Sequence, residues 1–347
     1  MPTITPGAKV LVTGANGFLA VHVVETFLEH GYSVRGTIRS QEKGVYLHKL
    51  FSSYGDKFET VIVKDITQEG AFDEAVKGVD AIAHTASPFH YEADDPNELI
   101  VPAINGTRGI LKSAHKSTTI KRIVILSSTA AIGNTPDSEK VYTEEDWNDA
   151  AIDAVEKHGK GASGGEKYSA SKTLAEKAAW DWYNDNKASV KWDLTTINPP
   201  YLFGPTIHEI GKLEDLNTSS ELLYKQAVKN TSSSPDLGKS IASYVDVRDV
   251  ALANVLALEK EAAGGERILV SAAPFTWQDL IDVARKVGPS IGLNDLPKGY
   301  TGYDALKVAH EHVFSNKKLK NILGLDPIPL ESTIKDSLSD FKNRGWL

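Results

Sequence analysis

Tyr168 and Lys172 stand four residues apart in the run Tyr168-Ser169-Ala170-Ser171-Lys172. On a helix that spacing puts both side chains on one face, so the ammonium can sit beside the phenol. An unperturbed phenol titrates near pKa ~10, and a neighbouring cation favours the phenolate, lowering that value by about one to three units. A phenol tuned in this way can donate a proton to a carbonyl oxygen on its way to becoming an alcohol. The same spacing is common on solvated helix surfaces, so the pair acquires meaning only from what surrounds it.

The first supporting feature is at the N-terminus. Lys9-Val10-Leu11-Val12-Thr13 is a short apolar run of strand type, followed directly by Gly14-Ala15-Asn16-Gly17-Phe18-Leu19-Ala20. From Phe18 to Glu29 the apolar residues Leu19, Val23, Phe27 and Leu28 recur at helical spacing. Strand, glycine turn and helix make a dinucleotide-binding start, with a pyrophosphate meeting free N–H groups at the helix N-terminus. Gly14 permits the tight turn, Gly17 the close approach of phosphate, and Ala20 stands where a third glycine is usual. The second feature is the end of the next strand, Ser33-Val34-Arg35-Gly36-Thr37-Ile38-Arg39. No acidic residue lies between Ser33 and Gln41, whereas Arg39 and Lys43 flank the strand end. An acid there would bond a ribose 2′-hydroxyl; an arginine suits a 2′-phosphate. The expected cofactor is therefore NADPH. The third feature is Arg122-Ile123-Val124-Ile125-Leu126-Ser127-Ser128-Thr129, a buried-type strand tipped with hydroxyls. In a parallel sheet ligands collect beyond the carboxyl ends of the strands, where Ser128, or less favourably Ser127, could hold a carbonyl oxygen beside the tyrosine.

Together, the glycine turn, Ser128 and the Tyr168–Lys172 run resemble the extended short-chain dehydrogenase/reductase family. Within it, Arg39-Ser40-Gln41-Glu42-Lys43, His84-Thr85-Ala86-Ser87-Pro88-Phe89, Asn198-Pro199-Pro200-Tyr201-Leu202-Phe203-Gly204-Pro205 and Tyr244-Val245-Asp246-Val247-Arg248-Asp249-Val250 are similar to fungal NADPH-dependent methylglyoxal and aldehyde reductases, with plant dihydroflavonol 4-reductases further off. The resemblance implies a Rossmann-type doubly wound α/β fold and hydride transfer from NADPH to an aldehyde or ketone. It assigns catalysis to Ser128, Tyr168 and Lys172, the last also bonding the nicotinamide ribose. For the cofactor it implies Gly14, Asn16, Gly17, Phe18 and Leu19 in the phosphate turn, and Asp65 and Ile66 near the adenine. Thr85, Ala86 and Ser87 fall behind the nicotinamide ribose, and Pro199 at the nicotinamide end. Phe89 and Tyr201 flank the expected substrate cleft. Two other readings share parts of this pattern: a nucleotide-sugar epimerase or dehydratase holding NAD, and a catalytically inactive NADP-binding sensor.

The 347 residues are 41% hydrophobic and 24% charged, ordinary values for a globular protein. A net charge of −8 argues against nucleic acid or an anionic membrane as the main partner; Arg39 and Lys43 are a local cationic spot suited to a small phosphorylated ligand. With no cysteine, disulfides and thiolate chemistry are excluded, and His84 and His90 lack partners at metal-ligand spacing. The first residues carry no secretory pattern and no apolar run reaches the ~18 residues of a membrane helix, so the expectation is a cytoplasmic monomer or homodimer acting on a small carbonyl compound.

Strand and helix patterns alternate, with further strands at Phe58–Val63, Ala81–His84 and Asp193–Asn198, the last stopped by Pro199-Pro200. A helix is expected over Leu174–Tyr183, continuing the Tyr168 face through Lys172, Glu176 and Ala179. The expected division is an NADP-binding domain of residues 1–198 and 241–272 and a substrate-binding lobe of 199–240 and 273–347. In that scheme the chain rejoins the main sheet region near Ser243-Tyr244-Val245, continues in a helix over Val247–Lys260, and adds a strand at Arg267–Val270. Helices are expected near Ser220–Val228, Trp277–Val287 and Leu330–Lys342. The acidic run Glu144-Glu145-Asp146 reads as the solvated first turn of a short helix, Asp246 and Asp249 around Arg248 as a helix start with a local ion pair, and Trp147, Trp180, Trp182 and Trp192 as packing residues.

Overall fold

A computed structural model describes residues 3–87, 93–133, 140–308, 310 and 313–347. In chain order the elements are β1 (Lys9–Val12), α1 (Phe18–Glu29), β2 (Ser33–Ile38), α2 (Gln41–Leu50), β3 (Phe58–Ile62), β4 (Ala81–His84), α3 (Asn97–His115), β5 (Arg122–Leu126), β6 (Val141–Tyr142), α4 (Asp149–His158), α5 (Gly164–Asn186), β7 (Asp193–Asn198), β8 (Tyr201–Phe203), α6 (Thr218–Ala227), β9 (Ser240–Asp246), α7 (Val247–Glu259), β10 (Arg267–Leu269), β11 (Ala273–Thr276), α8 (Trp277–Val287), β12 (Val313–Phe314) and α9 (Leu330–Asn343).

The main sheet has the order β10-β7-β5-β4-β1-β2-β3, and every pairing in it is parallel. Its central strands β1, β4, β5 and β7 are almost wholly buried because both faces are covered. Successive side chains point to opposite faces: Val10, Val12, Ala81, Ala83 and Val124 join the core under α1 and α7. Leu11, Ile82, Ile123 and Ile125 join the core on the other face, with Ile110 and Leu111 of α3 and Ala179 of α5. β1 and β4 are neighbours from which the order runs outward in opposite directions, so a crevice opens beyond their carboxyl ends. The doubly wound α/β architecture expected from the alternation is the one present.

A second layer follows Pro199-Pro200. There β8, β9 and β11 form a separate sheet in the order β11-β9-β8, and Phe203, Tyr224, Tyr244, Phe275, Leu280 and Phe341 build a core of their own against α6, α8 and α9. The chain therefore does not rejoin the main sheet at Ser243–Val245: these residues lie in β9, which pairs parallel with β8 and antiparallel with β11. The return comes one element later, when α7 packs its buried Val250, Ala251 and Val255 into the main core and β10 pairs with β7. A two-stranded ladder of β6 and β12 joins the two layers elsewhere.

Local reading missed three things. α3 contains Pro102, Gly106 and Gly109, which interrupt a helical pattern. α5 begins well before Leu174, at a capping box in which the Ser163 hydroxyl accepts from the Glu166 N–H and the Glu166 carboxylate accepts from the Ser163 N–H. The acidic run is not a solvated helix turn. Glu144 is buried and accepts from the Leu269 N–H at 3.1 Å, Asp146 accepts from the Thr143 N–H and pairs with Lys140, and α4 starts only at Asp149 behind an Asn148 cap. Asp246 does cap α7 and pair with Arg248, and partly buried Trp182 stacks on Trp192 at the edge of the core.

Candidate active site

The glycine turn closes on the crevice in a way its residue types require. Gly14 has φ +67°, the left-handed region open to glycine, and a Cβ there would stand 3.2 Å from that of Ala86. Gly36 on β2 is constrained as well, since a Cβ on it would lie 2.6 Å from that of Ala15. Thr13 ties the turn to the strand end beside it. Its hydroxyl accepts from the Ala86 N–H at 3.0 Å and bonds His84 Nδ1 at 2.9 Å, while the Thr85 hydroxyl donates to the Thr13 carbonyl. Burial, with Lys172 nearby, pushes His84 down to about 3, so the imidazole is neutral. α1 follows with Gly17 at its N-cap, no side chain capping it and no acidic residue in its first turn. Its leading N–H groups are thus free for an anion. Asn16 and Gly17 border the turn, and Phe18 and Leu19 line the cleft.

Across the cleft, α5 presents the predicted pair. Lys172 is 8% exposed, donates from Nζ to Ser87 Oγ at 3.0 Å, and lies 5.9 Å from the ring centroid of half-buried Tyr168. Burial pushes the Lys172 ammonium down to about 8, and the charge of Glu176 opposes that fall. Ser128 follows β5; its hydroxyl accepts from the Ala130 N–H at 3.1 Å and reaches the Pro199 carbonyl only at 3.5 Å. That second contact is at the limit of a hydrogen bond, which leaves the hydroxyl proton available. Ser127 also borders the cleft, but its hydroxyl donates to buried Glu176 at 2.5 Å and is consumed by that bond. Ser87, Ser128, Tyr168, Lys172, Pro199 and Tyr201 all border one cleft of about 600 Å³.

The remaining predicted residues divide. Arg39 and Lys43 are exposed at the end of β2 and in the first turn of α2. Exposed Asp65 follows the neighbouring strand β3. The Thr67 N–H and hydroxyl hold its carboxyl below the usual range, with a smaller contribution from Arg39. It caps a turn rather than a helix. Half-buried Ile66 packs on α3 at Gly106, where an added Cβ would come within 3.0 Å of it. Tyr201 lines the cleft and also stacks on Phe203 and against Phe275 and Trp277, so it both packs and faces the cavity. Phe89 lies outside the described residues.

Sequence reasoning passed over a buried polar group behind the pair. Glu176, 2% exposed, accepts from Ser127, Thr196, Asn198 and Arg267. The one signal in the chain was an acid at helical spacing after Lys172, on a face otherwise turned inward. A buried carboxylate requires partners, and here they come from strands distant in sequence.

Known proteins resemble this chain over most of its length. The profile of the NAD dependent epimerase/dehydratase family matches residues 10–271. The chain is 37% identical over 341 residues to the NADPH-dependent methylglyoxal reductase of Saccharomyces cerevisiae, covering 95% of this chain and 97% of that protein. It is 36% identical over 292 residues to aldehyde reductase 2 of Sporidiobolus salmonicolor, covering 82% of each. Among solved structures, yeast methylglyoxal/isovaleraldehyde reductase complexed with NADPH superposes with a TM-score of 0.85 at 35% identity, covering 98% of this chain and 100% of that one.

Proposed function

The chain belongs to the NAD dependent epimerase/dehydratase family, and from that premise we propose how its residues divide the work of carbonyl reduction. It is an NADPH-dependent oxidoreductase acting on carbonyl compounds. The observation that carries the residue assignment is that Ser128, Tyr168 and Lys172 border the same cleft as the Phe18–Leu19 end of the glycine turn. The turn suits a dinucleotide: Gly14 holds a positive φ against Ala86, and α1 opens without a side-chain cap or an acid.

When bound, NADPH supplies the hydride. Gly14, Asn16, Gly17, Phe18 and Leu19 would hold its pyrophosphate, and Arg39 and Lys43 its 2′-phosphate. Asp65 and Ile66 would border the adenine. Thr85, Ala86, Ser87, Tyr168 and Lys172 would hold the nicotinamide ribose, and Pro199 would bound the nicotinamide. Ser128 orients and polarises the substrate carbonyl through its loosely held hydroxyl proton. Tyr168 donates a proton to the oxygen as negative charge develops on it. Lys172, buried and cationic below about pH 8, stabilises the phenolate left behind. These groups act on charge that appears only in the transition state, where they affect rate.

The substrates are aldehydes and ketones, with Tyr201 bounding the apolar side of the pocket. The proposed division keeps residues 1–198 with α7 and β10 as the nucleotide layer, and assigns β8, β9, β11 and the C-terminal helices to the substrate lobe. A cysteine-free chain suits the reducing cytoplasm. The test is a panel of aldehydes and ketones followed by loss of NADPH absorbance, with Tyr168→Phe alongside. Turnover by the wild type and not by the variant supports the assignment; equal turnover by both overturns it. An epimerase or dehydratase role is disfavoured by Arg39, which has no acidic neighbour on the β2 end to bond the 2′-hydroxyl of a resident NAD.

A further inference from the structure

We propose that Glu176 is a positioning residue, a buried carboxylate that locks the tips of three strands to α5 and so fixes Ser128 relative to Tyr168 and Lys172. The inference rests on the reading just given of those three residues. Oε1 accepts from Arg267 Nε at 2.7 Å and from the Thr196 hydroxyl at 3.0 Å. Oε2 accepts from the Ser127 hydroxyl at 2.5 Å and from Asn198 Nδ2 at 2.7 Å. These donors come from β7, from the first residue of β10 and from the residue after β5; β5 leads into Ser128 and β7 into Pro199. Asn198 completes the link, because the same Nδ2 also donates to the Ser128 carbonyl at 3.2 Å.

Arg267 anchors the other side. Nη1 donates to the carbonyls of Glu144 and Asp146 at 2.6 and 2.8 Å, and the guanidinium lies 3.6 Å over the Trp147 ring. A buried ion pair is weak evidence of stabilisation, since desolvation offsets its attraction. What singles this one out is its place: one turn from Lys172 on the same inward face, with its donors drawn from β7, β10 and the residue after β5. A displacement of about 1 Å in such a constellation can cost about a hundredfold in rate.

Charge gives the second consequence. Lys172 is faced by Tyr168 and Glu176 from its own helix, and by Ser87 and neutral His84 from β4 and the segment after it. Glu176 is the carboxylate among these, and it supports the ammonium against burial. Loss of its charge should therefore let Lys172 shed its proton at lower pH.

The test is Glu176→Gln, with three measurements: kcat, the NADPH Kd from fluorescence quenching, and the Lys172 titration in cofactor-free protein by NMR of labelled lysine. The expected result is a kcat lowered by about tenfold or more, a Kd within about twofold, and a titration midpoint moved to lower pH. A kcat within about twofold of wild type, or an unmoved titration, overturns the proposal. Should Glu176→Gln fail to fold, Asn198→Ala severs the link to Ser128 and leaves the Arg267 pair intact. It should lower kcat severalfold without weakening NADPH binding, and an unchanged kcat overturns the proposal. Tyr168→Phe measured in parallel separates the two readings. If it retains turnover, the proton-donor assignment fails; if it is inactive while Glu176→Gln is normal, only the role of Glu176 fails.

Discussion

Lys172 donates to Ser87 across 3.0 Å, joining the helix that carries the phenol to the segment packed over the glycine turn. One ammonium thus bridges the two halves of the cleft, and its burial is costly. The first prediction follows from that cost. The folded-state value of about 8 lies below the unfolded 10.5. The native state carries the whole penalty below pH 8 and sheds it as pH rises toward 10.5, so this group's contribution to stability improves with pH over that window. Lys172→Met should therefore stabilise the cofactor-free protein at pH 7, by at most on the order of 3 kcal/mol, in urea unfolding. The same variant should bind NADPH more weakly, and any residual activity should have its basic limb moved above the wild-type position near pH 8, a limb that belongs to the coupled Tyr168–Lys172 pair. Unchanged NADPH binding together with a wild-type pH profile would make Lys172 a bystander.

Tyr168→Phe and Ser128→Ala should fail differently from Lys172→Met. Removing the phenolic hydroxyl should lower single-turnover reduction by about 10²–10⁴-fold with NADPH affinity nearly intact. Ser128→Ala should leave cofactor binding unchanged and reduce carbonyl turnover. If Ser128→Ala instead weakens NADPH as much as Lys172→Met does, the serine is part of the cofactor site and not a carbonyl donor.

Arg39→Ala should affect one cofactor only. A charge-assisted bond to a 2′-phosphate is worth roughly 1.5–3 kcal/mol, so NADPH affinity should fall by about tenfold to a hundredfold while NADH binding changes little. Titration of both cofactors is the check, and equal weakening of the two would make Arg39 structural.

Asp249 offers a stability test remote from the cleft. Burial raises its carboxyl to about 6, although its oxygen accepts from the Ile328 N–H at 2.8 Å. Folded above unfolded means the native state holds the proton longer, so the penalty is absent below pH 4, grows as pH rises to 6, and is complete beyond it. Asp249→Asn should raise the melting temperature at pH 7.5 and have little effect at pH 4. A gain of equal size at both values would show that charge is not the cause.

The sequence revealed much of this because much of it is local. The helix Phe18–Glu29, the strand Ala81–His84 and the pairing of Tyr168 with Lys172 are all written in spacings shorter than two helical turns. Glu176 could not be read in the same way, since its partners stand at 127, 196, 198 and 267 and meet only when the sheet is complete. Glu144 was misjudged for a related reason: its carboxylate is satisfied by the backbone N–H of Leu269, which no residue type announces. β9 was placed in the wrong sheet because a strand's pattern states that one face is buried, not which neighbour covers it.

The edge strand β10 carries a consequence for how the molecule is made. It completes the main sheet only after the chain has travelled through residues 199–266, and Arg267 upon it supplies the last partner of Glu176. Closing so long a loop is entropically slow, and parallel pairing gives little reward until both ends are in place. A nascent chain that has built the glycine turn and the tyrosine helix would still lack this brace. Catalytic competence should therefore appear late in folding and all at once, with no partly assembled form able to spend reducing equivalents before β10 is in place.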